Sequence, residues 1–467
     1  MSAAPPRALA ALAIVGLGAS IAPLDFSVNV AFPAITRAFA LDTRAIRWVA
    51  VCYVLTYGSL MLAFGALGDR IGHLRVFRAG VLLGALAFTL CALAPGFGWL
   101  LAARVLQGIA VALTLSCAPA LATALFEESR RTWALSAYSG MSAFAGVVAP
   151  LVGGASIAAL DWPGVYWFRV PIVLAAFFCA PLVARARAAP PARAPGAFDV
   201  LGAAMLAAAM ALLLLGPSLL RPQGGAWPAA PLAGLGLAIF VAFVWRERGR
   251  AQPFLPHAVA RHPDFVLPNL GSIVVQFTCF AIPLVVPYYM VRMGGWGPLQ
   301  SGALLAFWAA GALLGSAFAA RLVGALGVRR AAFAGACVVA SGLAAIALWG
   351  AAPAFVPMVA CFVFQGVGIG LYQVAYTDIV VAALPRAARG VAGSLTMVTR
   401  TIGIVSGASA WTWIQATFEA RALAAGAAPG PAFMAGFQAV FLAAAAVTAG
   451  YFALTCVRPR TWFARTW

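Results

Sequence analysis

The sequence predicts an all-α polytopic membrane protein that crosses the bilayer fourteen times. Three observations lead to this fold class: the composition, the length of the apolar runs and the distribution of arginine. Hydrophobic residues make up 64% of the 467 residues and charged residues only 9%, whereas a soluble domain carries about 25% charged residues. The composition therefore excludes an ordinary soluble protein.

The apolar runs set the number of spans. A hydrocarbon core about 30 Å thick needs about 20 apolar residues per helix. Runs close to that length occur fourteen times along the chain. We predict spans at residues 8–32, 46–66, 76–96, 99–122, 136–158, 164–184, 200–220, 229–245, 266–290, 300–321, 330–350, 354–380, 390–414 and 432–456.

Polar segments divide these spans into three groups. The arginine-, alanine- and proline-rich segment Arg185–Gly196 follows the first six spans, and the polar segment Arg246–Asp264 precedes the last six. We therefore predict a six-helix bundle at residues 1–184, a linker with two additional spans at residues 185–263, and a second six-helix bundle at residues 264–467.

Arginine placement predicts the orientation. The formal net charge is +19, and all 30 basic residues are arginine. These arginines lie between apolar runs rather than on a soluble face, so no nucleic-acid partner is expected. If both termini are cytoplasmic, 21 arginines lie in inner loops and 6 in outer loops, as the positive-inside rule requires. Because missing lysine with abundant alanine, glycine and proline is typical of GC-rich bacteria, we predict a multi-pass protein of a bacterial inner membrane.

The sequence contains an internal repeat. Gln107-Gly108 recurs 258 residues later as Gln365-Gly366, and the segment Gly65–Arg75 has a faint second copy at Ala320–Arg330, offset by 255 residues. Duplicated halves with a site between them are typical of carriers that work by alternating access.

The segment Gly65–Arg75 is a charged, glycine-rich loop between two long apolar runs. Glycine permits a tight backbone turn there, and an acid beside a base at the membrane face can latch helix ends together. The predicted conformational latch consists of Gly65, Asp69, Arg70, Gly72 and Arg75.

Asp25 and Arg104 are charged residues inside predicted spans, where a charge costs at least about 2.5–3.5 kcal/mol. At 1.5 Å per helical residue, Asp25 lies about 10 Å below the outer surface and Arg104 at a similar depth. We expect the two side chains to meet near a central cavity. A proton arriving on Asp25 would free Arg104 to rearrange, which couples proton movement to conformation. The alternative is a permanent ion pair that only braces the bundle.

Other polar residues within the spans are weaker candidates. Asp378 is a second carboxylate that could take a proton, or it is a solvated helix end near the inner surface. A further seven residues could line a substrate cavity, although each could equally bond one helix to another. They are Asn29, Gln107, Gln276, Gln365, Tyr372, Gln373 and Tyr376.

Several segments together resemble a known family. They are the G-x-L-x-D-R-x-G-x-x-R loop, Leu24–Pro33 (LDFSVNVAFP), Leu100–Gly108 with its R-x-x-Q-G element, and Ala149–Gly154 (APLVGG). In this order they resemble the major facilitator superfamily, and six plus two plus six spans resemble its fourteen-helix drug:proton antiporter family. The resemblance implies the major facilitator fold and proton-coupled export of hydrophobic or amphiphilic small molecules, without a cofactor or metal.

The resemblance also assigns an antiporter-type helix and exposes three departures. Pro150, Gly153 and Gly154 match an element that the family associates with export, although helix packing alone also explains small residues there. His73 and Leu74 stand where the loop signature usually has basic residues, which reduces the expected inner latch. Arg169 stands where the family usually has asparagine, and the sequence offers no interpretation of it.

Two alternatives to multidrug efflux stay open. One is a dedicated exporter of a single metabolite or natural product. The other, a membrane enzyme acting on lipids, is disfavoured because no cluster of histidine, cysteine and carboxylate residues has catalytic spacing. The expected partners are the substrate, protons and the lipid bilayer. We expect a monomer, and a periplasmic adaptor remains open.

Overall fold

The computed structural model describes residues 6–186, 200–218, 229–248, 263–383, 389–458 and 460–463, and the regular elements in these ranges are all helical. The predicted linker beyond Arg187 and most of the polar segment before the last six spans lie outside the described residues. The helices are α1 (Pro6–Ala19), α2 (Phe26–Ala38), α3 (Arg47–Ile71), α4 (His73–Ala92), α5 (Phe97–Thr123), α6 (Arg131–Leu160), α7 (Gly164–Trp167), α8 (Arg169–Ala186), α9 (Val200–Ser218), α10 (Ala229–Arg248), α11 (Pro263–Cys279), α12 (Ala281–Gly294), α13 (Pro298–Leu326), α14 (Val328–Ala347), α15 (Phe355–Ala383), α16 (Arg389–Ala424), α17 (Pro429–Thr455) and α18 (Arg460–Phe463).

Helix is present at each of the fourteen predicted spans. Within the described ranges, ten segments are long and apolar enough to cross a membrane, and the bent helix α3 raises this number to eleven. The all-helical, multi-pass class is therefore confirmed. Membrane passage by α9, α10 and α16 stays a prediction.

The first span of each six-helix group is broken at an equivalent place. Helix α1 ends at Ala19, and α2 starts after a short 3-10 turn at Pro23–Asp25. Helix α11 ends at Cys279, four residues before Pro283. A proline lacks the N–H that would bond the carbonyl four residues earlier, so both breaks fall where a proline removes that bond.

The repeat is also visible in helix starts and in two glycine breaks. Helices α5 and α15 begin 258 residues apart. Gly72 (φ 100°, ψ 126°) separates α3 from α4, and Gly327 (φ 85°, ψ 156°) separates α13 from α14, 255 residues later. Glycine adopts this positive φ without the steric cost that other residues meet. The predicted loop Gly65–Arg75 was wrong in extent, because both helices continue through it and only Gly72 breaks them.

The two six-helix groups meet at the end of the bundle that the arginine distribution predicts to be outer. Helix α6 packs against α13 so closely that a Cβ on Gly302 would overlap the carbonyl oxygen of Pro150. Nearby, the hydroxyl oxygens of Thr36 on α2 and Tyr288 on α12 are 2.6 Å apart. The groups also touch in the middle of the bundle, where Gly58 on α3 faces Thr401 on α16.

Candidate functional site

Asp25 lies at the break in the first span. Its backbone belongs to the 3-10 turn that follows Pro23, immediately before α2. The carboxylate therefore lies at the N-terminal end of a helix, where the helix dipole favours a negative charge. Only 12% of its side chain is exposed.

Arg104 on α5 grips this carboxylate with both terminal nitrogens. Nη1 donates to Oδ1 of Asp25 at 2.7 Å and Nη2 to Oδ2 at 2.8 Å, a two-pronged geometry. Nε donates to the carbonyl oxygen of Val49 at 2.8 Å, and the guanidinium lies 4.4 Å from the ring centre of Tyr53. Arg104 is 1% exposed. The two side chains are thus adjacent, as the depth calculation predicted, and their role in proton coupling stays a prediction.

Two further side chains hold Asp25 at Oδ1. Gln107 donates its amide nitrogen at 2.9 Å and also accepts a 2.7 Å bond from Arg104. Arg169 donates Nη1 at 2.9 Å, while its Nη2 donates to the hydroxyl of Ser27 at 2.5 Å. Asp25 therefore has three donor side chains from two different helices, α5 and α8.

Sequence reasoning missed the role of Arg169. It starts α8 directly after the single turn of α7, is fully buried, and lies 5.2 Å from the ring centre of Phe88. The available signal was its position in an apolar run, because a buried charge needs a counter-charge. Asp25 was the candidate partner, but which face of α8 carries Arg169 depends on the break after α7.

The cluster of Asp25, Arg104 and Arg169 has a formal charge of +1, since one carboxylate stands against two guanidinium groups. We call it the Asp25 cluster. Protonation of Asp25 in this arrangement would leave two buried positive charges without their counter-charge, which is costly in a poorly solvated interior. A proton can therefore be accommodated only if the arginines also rearrange.

Four of the seven residues predicted to line a cavity are instead buried between helices. Gln107, Gln365, Tyr372 and Tyr376 are at most 1% exposed. Tyr376, for example, donates its hydroxyl to Asn269 Oδ1 at 2.9 Å. In this conformation these four side chains join helices to one another, which is the alternative that the sequence left open.

The other three are more accessible. Gln276 on α11 and Gln373 on α15 are partly exposed and joined by a 2.9 Å bond from Nε2 of Gln276 to Oε1 of Gln373. Asn29 lies one turn after Asp25 and is 9% exposed. These are the better-placed candidates for contact with a bound molecule.

Asp378 is exposed and lies five residues before the end of α15 at Ala383. It belongs to the second six-helix group and is not part of the Asp25 cluster. Its placement fits a solvated helix end better than a buried proton site, and a role for it in proton coupling stays a prediction.

Arg400 on α16 is a partly buried charge in the middle of the bundle. Its neighbour Thr401 meets Gly58 of α3, and Tyr57 lies within electrostatic range of both Arg400 and Asp25. The Nε atom of Arg400 is buried and has no hydrogen-bond partner among the described residues.

The sequence matches the Major Facilitator Superfamily over residues 9–408. The chain belongs to this superfamily. It is therefore a multi-pass transporter rather than an enzyme, and the resemblance of its motifs to the superfamily is confirmed. Membership in the fourteen-helix antiporter branch is a narrower statement that this match does not reach.

Three relatives bracket the functions found among similar chains. The tetracenomycin C resistance and export protein of Streptomyces glaucescens is 28% identical, over 84% of this chain and 73% of its own. The multidrug resistance protein Stp of Mycobacterium tuberculosis is 26% identical, over 88% and 77%. The riboflavin transporter RibZ of Clostridioides difficile is 22% identical, over 85% and 86%.

Solved structures support the fold. A bacterial homologue of the human lysosomal transporter Spinster, in an inward-facing and unoccupied conformation, superposes with a TM-score of 0.72 at 18% identity. The match covers 100% of this chain and 99% of that one. At this identity the likeness establishes the major facilitator fold only.

The superfamily loop around Gly72 has an internal contact that the sequence did not suggest. Asp69 is 55% exposed, and its Oδ1 lies 3.1 Å from Nε2 of His73. His73, which we regarded as weakening the inner latch, thus pairs with the carboxylate of that latch. Gly65 and Arg75 lie within α3 and α4, and a latching role for the set stays a prediction.

The small residues of α6 permit its close packing. A Cβ on Gly154 would overlap the carbonyl oxygen of Pro298, and one on Gly153 would overlap Ser27, which neighbours the Asp25 cluster. This explains why the Pro150–Gly154 segment contains glycine. It leaves the association with export as a prediction.

Proposed function

We propose that this transporter is a proton-coupled exporter of hydrophobic or amphiphilic small molecules, of the multidrug efflux type. The observation that carries the proposal is the Asp25 cluster, a carboxylate held by two arginines inside a membrane bundle. Ionisable groups within a membrane are rare and mark proton relays and substrate pathways. The printed functions of two relatives, resistance and export, support the export direction.

The coupling follows from the charges. Each bond from an arginine to Asp25 is charge-assisted and contributes about 1.5–3 kcal/mol. A proton on the carboxylate weakens these bonds, so Arg104 on α5 and Arg169 on α8 become free to move relative to α2. Proton binding thereby favours a different packing of three helices, which is what a proton-driven cycle requires.

Alternating access needs one end of the bundle to open as the other closes. The contacts between α6 and α13 and between Thr36 and Tyr288 hold the predicted outer end together. We propose that these contacts part in the outward-open state, and that Asp69 and Arg70 then engage the inner helix ends. Gln276, Gln373 and Asn29 would contact substrate in the cavity between the halves.

The proposal includes the fourteen-span topology of the drug:proton antiporter branch. Both termini would be cytoplasmic in a bacterial inner membrane, since this orientation puts most arginines inside. The transporter would act as a monomer.

A dedicated exporter of one natural product is the second candidate. One observation favours it: the relative from Streptomyces glaucescens is named for a single compound, tetracenomycin C. The two candidates differ in substrate range and not in mechanism.

A resistance panel followed by vesicle transport tests the function. The protein is expressed in an efflux-deficient bacterium, and compounds with raised inhibitory concentrations are selected. Everted vesicles are then acidified inside, and each selected compound is added outside. We expect accumulation of the compound together with loss of lumenal protons, and several unrelated substrates if export is of the multidrug type. Accumulation that is indifferent to a collapsed pH gradient would contradict proton coupling.

A further inference from the structure

The middle of the bundle carries an excess of positive charge. Three arginines lie there, Arg104, Arg169 and Arg400, against one carboxylate, Asp25. The chain has only ten other acidic residues. Those whose side chains the structure describes lie in loops or near helix ends, as Glu127 and Asp161 do, or are exposed, as Asp378 is. The formal charge of the four central groups is therefore +2.

Two of the three arginines are already engaged. Arg104 and Arg169 are at most 1% exposed and bond to Asp25. Arg400 differs, since it is partly exposed and no hydrogen bond or ion pair joins it to another residue in the described ranges. It therefore has donors available for a bound molecule.

Arg400 also lies at mid-depth between the halves. It is 11 residues from the start of α16, about 16 Å along the helix at 1.5 Å per residue. The partner of its neighbour, Gly58, is 11 residues from the start of α3 and 13 from its end. Because α3 and α16 belong to opposite halves, Arg400 borders the space that alternating access must open to each side.

Aromatic rings connect Arg400 with the Asp25 cluster. The rings of Tyr53 and Tyr57 are 5.1 Å apart. Tyr53 lies under Arg104, and Tyr57 is within electrostatic range of Arg400. A flat apolar body could lie against this pair of rings while an acidic group reaches the guanidinium of Arg400.

We propose that the substrates of this exporter are amphiphiles bearing an acidic group, a carboxylate or a phenolate, and that Arg400 binds that group. This inference rests on the proposed function, because it names the substrate class of that function. A bundle with a central charge of +2 disfavours organic cations, since like charges repel in a low-dielectric interior. An anion lowers that excess, and Arg400 is the arginine whose donors are available to it.

Two fluorescent xanthene dyes of opposite charge provide the test. Fluorescein is anionic at pH 7.4, and rhodamine 123 is cationic with a similar ring system. Binding of each dye to the full-length protein in lipid nanodiscs is measured by fluorescence anisotropy. We expect fluorescein to bind at least about tenfold more tightly than rhodamine 123, a difference of about 1.4 kcal/mol. Arg400→Gln should lose at least tenfold in fluorescein affinity, and Arg400→Lys should retain part of it.

Arg421→Gln is the matched control, because Arg421 is an exposed arginine on the same helix near its predicted outer end. It should bind fluorescein as the wild type does. The proposal is overturned if fluorescein binds no more tightly than rhodamine 123, or if a folded Arg400→Gln protein keeps the wild-type affinity. Should Arg400→Gln fail to fold, the two-dye comparison on the wild type and the Arg400→Lys affinity decide.

The assay separates this inference from the proposed function. Proton-driven export of rhodamine 123 without preferred binding of fluorescein would keep the function and overturn the substrate class. Arg400-dependent binding of fluorescein, with no proton-driven movement of any compound, would keep the substrate class and overturn the coupled export.

Discussion

Replacing Arg169 with asparagine should move the pH dependence of transport. The change removes the 2.9 Å bond to Asp25 and the 2.5 Å bond to Ser27, and it lowers the formal charge of the Asp25 cluster from +1 to 0. Arg104 still grips both carboxylate oxygens. We therefore expect a folded transporter in which protonation of Asp25 is less costly.

The magnitude follows from the geometry. Two unit charges about 4 Å apart interact by about 4 kcal/mol at an effective dielectric constant of about 20. One pH unit corresponds to about 1.36 kcal/mol, so the ceiling on the shift is about 3 pH units. Because the Asp25 side chain is 12% exposed, solvent screens part of this interaction, and we expect a shift of about 1–2 pH units.

The assay is substrate uptake into everted vesicles at a series of lumenal pH values. Proton loading occurs from the lumen, so half-maximal uptake in Arg169→Asn should occur at a higher lumenal pH than in the wild type. Ser27→Ala is the control, because it removes the second bond of Arg169 without changing any charge. An unchanged pH profile in an active Arg169→Asn protein would refute the claim that Arg169 acts on a proton site at Asp25.

Three further expectations concern the latch, the packing and the topology. Asp69→Asn should impair transport while the amount of protein in the membrane stays near normal, and unimpaired transport would reduce this segment to a tight break between helices. Gly302→Ala should lower thermal stability by about 1–3 kcal/mol through overpacking, whereas Gly324→Ala on the same helix, with open space at its Cβ, should not. Reporters fused after Asp42 and after Arg187 should lie on opposite sides of the membrane, and signals on one side would break the fourteen-span topology.

The fold was largely predictable because apolar run length and motif order constrain a membrane protein strongly. The same length argument fails for α9, α10 and α16, which are helical but not apolar enough to be counted as spans in the described residues. The Gly65–Arg75 loop was overestimated because charge and glycine look alike in a loop and at a one-residue break. Only the backbone shows that Gly72 alone departs from helix.

The site was predictable where depth alone decides contact. Asp25 and Arg104 could be paired from residue counts, since both lie at one level in neighbouring helices. Facing could not be predicted, because a span that is apolar on every side carries no periodic signal of its buried face. For that reason Gln365 and Tyr376 were assigned to a cavity and are in fact bonded between helices, and Arg169 was left without a partner.

The most direct test of proton coupling at Asp25 is the proton movement that substrate triggers in Asp25→Asn. A compound to which expression confers resistance is added to acid-loaded everted vesicles, and lumenal pH is followed. The wild type should release protons, and Asp25→Asn should not, although the purified variant should still bind the compound. Asp25→Asn with Arg169→Asn has the same cluster charge as the wild type, +1, and should also fail, which separates loss of the carboxyl group from excess charge. Substrate-triggered proton release that persists in Asp25→Asn would contradict the account and direct attention to Asp378.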